Sequence, residues 1–111
     1  MSSKYFVKAT YREKDCDSRS PISKLHLDKT FNGYYGHVIK DLVGLADQGK
    51  LWVKTGPYCS GVMVRIYYSY AYSRWIATTH ADNTECNNLL SLPIFSSAYK
   101  GSNVTYSVCR I

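Results

Sequence analysis

Alternation of apolar and polar residues with a period of two runs through much of this chain and predicts β-strands with one buried face. The predicted strands span residues 5–12, 22–27, 51–55, 62–70 and 74–79. Residues 13–21 collect charged residues, Ser and Pro, so we expect them to form the long loop of a first hairpin. In the strand over 62–70, Val64 and Ile66 share one face, while Arg65 and Tyr67 share the other.

One segment has the 3.6-residue period of an amphipathic helix instead. Its apolar positions are Tyr35, Val38, Ile39, Leu42, Val43 and Ala46. Asn32 is a candidate N-cap for this helix, and Gly49 is a candidate left-handed stop. We therefore predict a single α+β domain over residues 1–111, in which one helix packs on a mostly antiparallel sheet of about five strands in the order β-β-α-β-β-β. Residues 96–111 include a further alternating stretch, 104–109, which either adds an edge strand or trails from the sheet.

The composition is that of a globular protein, with 45% hydrophobic and 20% charged residues among 111, which excludes a disordered tail. No apolar run approaches the ~18 residues of a membrane span, so we expect no membrane partner. Since the chain begins without an apolar export signal, we expect a cytoplasmic protein with reduced thiols. Its cysteines are Cys16, Cys59, Cys86 and Cys109. They form no local pair of the kind that structural zinc sites use, so we predict no metal and no other cofactor.

A short motif follows the last predicted strand. Ile76-Ala77-Thr78 is followed by Asp82 and then by Asn88-Leu89-Leu90-Ser91-Leu92-Pro93. This order resembles small bacterial and phage proteins catalogued as domain of unknown function 3892, which end in a strand, an Asp and an N-L-L-x-L-P motif. The resemblance implies a compact domain and transfers no catalytic residues. A phage setting would make counter-defence a natural role, for instance sequestering a nucleotide signal or blocking a nucleic-acid-binding effector.

The chain has a formal net charge of +6 and eleven tyrosines, and four of these tyrosines lie with Arg65 and Arg74 in the predicted hairpin over 62–79. Residues 48–111 carry six basic and two acidic side chains. Aromatic rings stack on bases while guanidinium groups neutralise phosphate. The leading hypothesis is therefore a non-enzymatic protein that binds an anionic ligand, either nucleic acid or a small nucleotide. The candidate ligand-binding residues are Lys54, Arg65, Tyr67, Tyr72 and Arg74.

The same tyrosines support an alternative function. Tyrosine is a good strand former whose ring fills a half-buried sheet face, and it is enriched in the cores of protein interfaces. The alternative is a protein-interaction module or a homo-oligomer with a tyrosine-rich subunit contact, in which the arginines form the rim. A positive charge scattered along the chain then confers only solubility.

A second alternative is a small hydrolase that uses His80 and Asp82, which share one polar stretch with Glu85 and Cys86. A nucleophile needs a base within hydrogen-bond reach and a third group that orients the base. No nucleophile-elbow, zinc-protease or phosphate-loop motif supports that geometry, so we assign no catalytic residue. We interpret His26 as a structural strand residue and His37 as a solvated residue on the polar side of the helix.

Overall fold

The computed structural model describes residues 4–53, 61–79, 89, 92–96 and 109. Within these residues, six strands form one mixed sheet: β1 (Tyr5–Arg12), β2 (Ile22–Phe31), β3 (Tyr34–Val38), β4 (Leu51–Val53), β5 (Val62–Ser69) and β6 (Arg74–Thr79). Their spatial order is β3-β2-β1-β4-β5-β6. β1 and β4 run parallel, and the other neighbouring strands are antiparallel. The α+β class and the mostly antiparallel sheet are therefore confirmed, whereas the predicted strand count and order are not.

The first half of the predicted helix is a strand. Asn32 and Gly33 have φ values of 53° and 85°, and Phe31 pairs directly with Tyr34 across them. Two central residues with positive φ form a type I′ turn, for which Asn-Gly is the preferred sequence. Asn32 is thus a hairpin residue and not an N-cap, and the chain leaves the turn as β3.

The helical segment is shorter than predicted, comprising a 3-10 helix (Ile39–Leu42) and helix α1 (Val43–Asp47). Gly49 ends it, as predicted, with a φ of 70°. The Gly49 N–H donates to the Ala46 carbonyl at 3.0 Å, and the Lys50 N–H donates to the Leu45 carbonyl at 2.9 Å. This pair of bonds is the Schellman arrangement. Within the described part of the chain, no helix has the length and apolarity to cross a bilayer.

The hydrophobic core lies between one face of the sheet and the helical segment. Ile39, Leu42 and Leu45 of that segment are buried, and the 3-10 helix contacts β2, β5 and β6. The sheet contributes Val7, Leu25, Leu27, Leu51, Val53, Val64 and Ala77, and Leu89 joins the same cluster. Because each fully buried aliphatic side chain contributes roughly 1.5–3 kcal/mol, packing stabilises a helical segment that is too short to be stable alone.

A smaller aromatic cluster covers the opposite face of β1 and β2. The Tyr11 hydroxyl and His26 Nδ1 lie 3.1 Å apart, and the His26 ring stacks on Tyr35 with a centroid distance of 5.5 Å. Phe95 packs edge-to-face against His26 at 4.9 Å. Its backbone N–H donates to the carbonyl of Thr10 in β1 at 2.9 Å. His26 therefore has the structural position expected of it.

Two expectations for individual strand residues are wrong. His37 belongs to β3 and is buried, with its Nε2 2.8 Å from the Tyr34 carbonyl oxygen, so it is not solvated. The strict alternation predicted for β1 is broken by a register shift between Val7 and Ala9. The shift is the signature of a β-bulge, which inserts an extra residue and changes which side chains face the core. Val7 and Thr10 are both fully buried as a result.

A disulfide joins Cys16, in the loop between β1 and β2, to Cys109. Their Cα atoms lie 5.3 Å apart although 93 positions separate them in sequence. The expectation of reduced thiols is wrong for these two residues, because their proximity arises from the tertiary fold and leaves no local signature. Cys59, Cys86 and the alternating stretch 104–108 lie outside the described residues.

Candidate anion-binding site

A cavity of about 420 Å³ opens between the loop after β1 and the first residues of β6. Three arginines line it, Arg12, Arg19 and Arg74, together with the rings of Tyr72 and Trp75. Apolar side chains complete the wall: Pro21, Ile22, Ile39, Ile76 and Ala77. Small-molecule sites are clefts of roughly 300–1,000 Å³ that combine an apolar lining with a few polar groups, so this cavity has the size and character of one. We call it the arginine pocket.

Arg12, the last residue of β1, is a buried cation in the pocket wall. Only 5% of its surface is exposed. Its Nη1 donates to the carbonyl oxygens of Ser18 at 3.0 Å and Ser20 at 2.9 Å. Burial lowers the pKa of Arg12 from its ordinary value, and the carboxylate of Asp17 opposes that shift. The guanidinium stays charged at neutral pH, because arginine does not deprotonate in proteins.

Arg74 begins β6 and faces the same cavity from the other side. Its Nη1 lies 2.8 Å from Oε1 of Glu13, and 35% of its side chain is exposed. The buried Nε atoms of Arg74 and Arg12 have no hydrogen-bond acceptor among the residues that the structure describes. Since a guanidinium carries five N–H donors, the protein contacts leave both arginines with donating capacity to spare.

The remaining polar and aromatic lining comes from the loop after β1, the turn between β5 and β6, and β6 itself. The Arg19 N–H donates to Oδ1 of Asp17 at 2.9 Å, which fixes the backbone of the loop after β1 beside the cavity. Tyr72 lies in the turn between β5 and β6, where its N–H donates to Ser69 Oγ at 3.3 Å. Trp75 is half-buried and packs edge-to-face against Tyr68 at 5.3 Å. These rings offer apolar faces next to the guanidinium groups.

The charge of the lining is positive. Among the described residues, the lining has three guanidinium groups and no carboxylate, while Glu13 and Asp17 adjoin Arg74 and Arg12 from outside it. The two acids offset part of the positive charge. Inside a cavity bounded by low-dielectric walls, charges attract an anion more strongly than they would across open water. The arrangement can therefore hold a negatively charged group against an apolar and aromatic wall.

The residues predicted to bind a ligand divide between two places. Tyr72 and Arg74 line the arginine pocket. Arg65 and Tyr67 are exposed on the outer face of β5, as alternation predicts, and line a separate groove that also contains Asp47. Lys54 lies outside the described residues.

Sequence reasoning missed Arg12 and Arg19 as site residues. In the sequence, Arg12 is one more polar position of a strand and Arg19 is one charge in a polar loop. Their role depends on contact with β6, which follows much later in the chain. A strand end and a loop that meet a third arginine only through tertiary structure leave no local motif.

The other chemistry-bearing groups do not form a described site. His80 and Asp82, the residues of the predicted hydrolase, lie outside the described residues. Potential ligand atoms of Asp15, Cys16 and Cys109 lie within 4.8 Å of one another. Both sulfurs are bonded to each other, however, so this group lacks the thiolates that a metal ion would require.

Comparison with protein-family models, curated proteins and solved structures finds no match to this chain. The resemblance to the domain of unknown function 3892 therefore stays a prediction. Of its motif, Ile76-Ala77-Thr78 lies within β6 and Leu89 is buried in the core, whereas Asp82 lies outside the described residues.

Proposed function

We propose that the protein is a non-enzymatic binder of a small organic anion that carries an aromatic ring, typified by a nucleotide, and that the ligand occupies the arginine pocket. The observation that carries this proposal is the convergence of Arg12, Arg19 and Arg74 on one cavity whose wall includes Tyr72 and Trp75. Guanidinium groups bind phosphate and carboxylate through paired hydrogen bonds, and aromatic rings stack on a planar ligand. The arginines would thus contact the anionic group of the ligand, and the aromatic side chains would stack on its ring.

The arrangement favours a small nucleotide over a nucleic-acid strand. Single-stranded nucleic acids bind along a continuous basic groove with successive aromatic platforms. The groove that contains Arg65 and Tyr67 is separate from the arginine pocket and includes the carboxylate of Asp47. A nucleic-acid strand that occupied both the groove and the arginine pocket would pass the carboxylate of Asp47. A mononucleotide, in contrast, fits within the cavity of about 420 Å³.

The test is isothermal titration calorimetry at low ionic strength with AMP, adenosine and inorganic phosphate as probes. AMP is expected to bind more tightly than either of the others, because it alone supplies both ring and anion. Arg74→Gln should weaken AMP binding about tenfold or more, the effect of losing a charge-assisted hydrogen bond. Arg65→Gln, which removes the same charge from the adjacent strand, is the matched control and should leave the affinity within about twofold.

Two results would contradict the proposal. Equal losses in Arg74→Gln and Arg65→Gln would mean that a diffuse surface potential attracts the anion, as expected for nucleic-acid binding. No detectable binding of AMP to the parent protein would remove the function altogether.

A second candidate function rests on the exposed tyrosines at the end of the β5–β6 hairpin. Tyr67, Tyr68, Tyr70 and Tyr72 are all exposed, Tyr70 by 88%. Tyr68 makes edge-to-face contacts with Tyr70 at 5.1 Å and with Trp75 at 5.3 Å, so these three rings form a continuous surface. Such a surface suits a contact with a protein partner or with a second copy of this chain.

Size-exclusion chromatography with light scattering tests the second candidate. An oligomer that persists at high salt and dissociates in Tyr70→Ser would support it, since apolar contacts respond little to salt. Tyr34→Ser is the control, because Tyr34 is also exposed but belongs to β3 at the other edge of the sheet. A monomer at every concentration and salt would eliminate the homo-oligomer.

A further inference from the structure

We propose that the Cys16–Cys109 disulfide controls the arginine pocket, so that reduction of this bond opens the pocket and weakens anion binding. The ligand-binding part of this inference rests on the proposed function. The structural part concerns residues 13–21, which we call the pocket loop, and it is testable without a ligand.

The pocket loop is both a wall of the cavity and the support of its buried cation. Ser18, Arg19, Ser20 and Pro21 all line the pocket. The carbonyls of Ser18 and Ser20 also accept the two hydrogen bonds from Arg12 Nη1. A displacement of the loop would therefore move Arg19 and release Arg12 in the same step.

The base and the tip of the pocket loop are held differently. At the base, the Glu13 N–H donates to the Pro21 carbonyl at 3.0 Å, and the Lys14 N–H donates to Ser20 Oγ at 2.8 Å. At the tip, Cys16 has a φ of 60°. This left-handed conformation is unfavourable for a residue with a side chain, so it persists only where the surroundings impose it.

The Asp17 N–H donates to the Lys14 carbonyl at 3.1 Å across Cys16, and the disulfide ties this turn to the sheet, because Cys109 is itself anchored there. The Cys109 N–H donates to the Ile94 carbonyl at 2.7 Å, and Ile94 is buried and bridges to Thr10 of β1. A second link, from Ser96 Oγ to Asp15 Oδ2 at 3.0 Å, is exposed to solvent and contributes much less than a covalent bond. The tip of the loop is thus tied to β1 through the disulfide.

Reduction requires a dithiol as co-reactant. One of its thiolates attacks Cys16 or Cys109, which breaks the S–S bond and forms a mixed disulfide. The second thiol of the reductant then displaces the remaining cysteine and closes its own disulfide. Two electrons and two protons thereby pass to the protein, which holds two thiols. Both cysteines are only half-buried, so the reductant can reach them. Cys16 is then free to adopt a negative φ, and the tip of the loop moves.

Calorimetry with AMP tests the link to binding. AMP should bind the oxidised protein about tenfold or more tightly than the protein treated with dithiothreitol. The double variant Cys16→Ser/Cys109→Ser should bind weakly whether or not the reductant is present. Binding and reduction are linked reciprocally, so saturating AMP should raise the ratio of reduced to oxidised dithiothreitol needed for half-reduction by the same factor.

Amide hydrogen exchange tests the loop itself. Reduction should accelerate exchange at Lys14, Asp17 and Ser20, whose N–H groups donate within the loop, and should leave Gly49 and Lys50 unchanged. Unchanged exchange in the loop would overturn the inference, as would a reductant effect that persists in the double variant. If AMP fails to bind the oxidised protein but reduction still loosens the loop alone, the proposed function falls and the control of the pocket wall by the disulfide stands.

Discussion

Arg74 at the start of β6 donates a 2.8 Å hydrogen bond to the carboxylate of Glu13, the first residue after β1, although the two are 61 positions apart. β4 and β5 lie between β1 and β6 in the sheet. Strands three places apart in a flat sheet are about 14 Å from each other, so the sheet must curl to bring these side chains together. The contact lies beside the arginine pocket, where it places a carboxylate on one of the guanidinium groups that line the cavity.

Glu13→Gln is therefore expected to strengthen AMP binding. Both partners of the ion pair are partly exposed, so the pair itself is worth at most about 1 kcal/mol. Removing the competing charge should raise the affinity by roughly two- to fivefold, the fold-change that corresponds to such a pair, with a similarly small loss of stability. Calorimetry and urea unfolding measure the two effects. Asp47→Asn, in the groove that contains Arg65, is the control, because it removes one negative charge away from the arginine pocket. Weaker AMP binding by Glu13→Gln would contradict the prediction and would mean that Glu13 positions Arg74.

The stability of the fold should fall in mild acid because of His26. Burial lowers the pKa of its imidazole, so the folded protein takes up this proton at a lower pH than the unfolded chain does. The neutral ring makes its full contribution to the free energy of unfolding above about pH 6.5, and this contribution is lost as the pH falls through the folded-state pKa. Urea unfolding at pH 7.5 and pH 5.0 should show the loss. His26→Phe keeps a ring against Tyr35 and should reduce the difference; an identical pH dependence would exclude His26 as its source.

Two glycines should respond to alanine in opposite directions. A Cβ atom at Gly33 or Gly44 would meet no atom within 4 Å, so packing does not distinguish them. Gly33 has a φ of 85°, where alanine is strained, and Gly33→Ala should destabilise the protein by about 1 kcal/mol. Gly44 lies within helix α1, and Gly44→Ala should stabilise it by about 0.5–1 kcal/mol. Urea unfolding measures the change in stability of both variants. Changes in the same direction would contradict the backbone conformations assigned to Gly33 and Gly44.

Leu42 should be a major contributor to the core. It is completely buried where the helical segment meets the sheet, whereas Val38, at the end of β3 four residues earlier, is 40% exposed. Leu42→Ala should lower the free energy of unfolding by about 2–5 kcal/mol, because it removes buried methyl groups and leaves a cavity. Val38→Ala should cost no more than about 0.5 kcal/mol, as for other surface substitutions. Comparable losses in the two variants would show that the helical segment packs differently.

The strands that follow a simple period of two are predictable from the sequence. β1 and β6 have the predicted bounds, β5 ends at Ser69, one residue before the predicted end, and β2 continues to Phe31 beyond the predicted Leu27. The segment 34–46 shows where periodicity fails, because its apolar residues match a helix and a short strand equally well. The Asn32-Gly33 turn decides between them, because both residues have a positive φ and Asn-Gly is the preferred sequence of a type I′ turn.

The candidate site was much less predictable than the fold. Tyr72 and Arg74 were identified because aromatic and basic residues concentrate in one hairpin. Arg12 and Arg19 could not be identified in this way, because their approach to Arg74 depends on the tertiary fold of the sheet and of the pocket loop. A parallel pairing between β1 and β4, with two further strands added beyond it, leaves no trace in local spacing.

The bond between Cys16 and Cys109 turns most of the polypeptide into a ring, since it spans 93 positions. In the chain-entropy account, a closure of that length disfavours the denatured ensemble by about 4–5 kcal/mol. It also changes the outcome of proteolysis. A single cut anywhere inside the ring, for instance in the exposed turn over residues 70–73, leaves one covalent molecule of almost unchanged mass. The two pieces separate on a gel only after a thiol has been added.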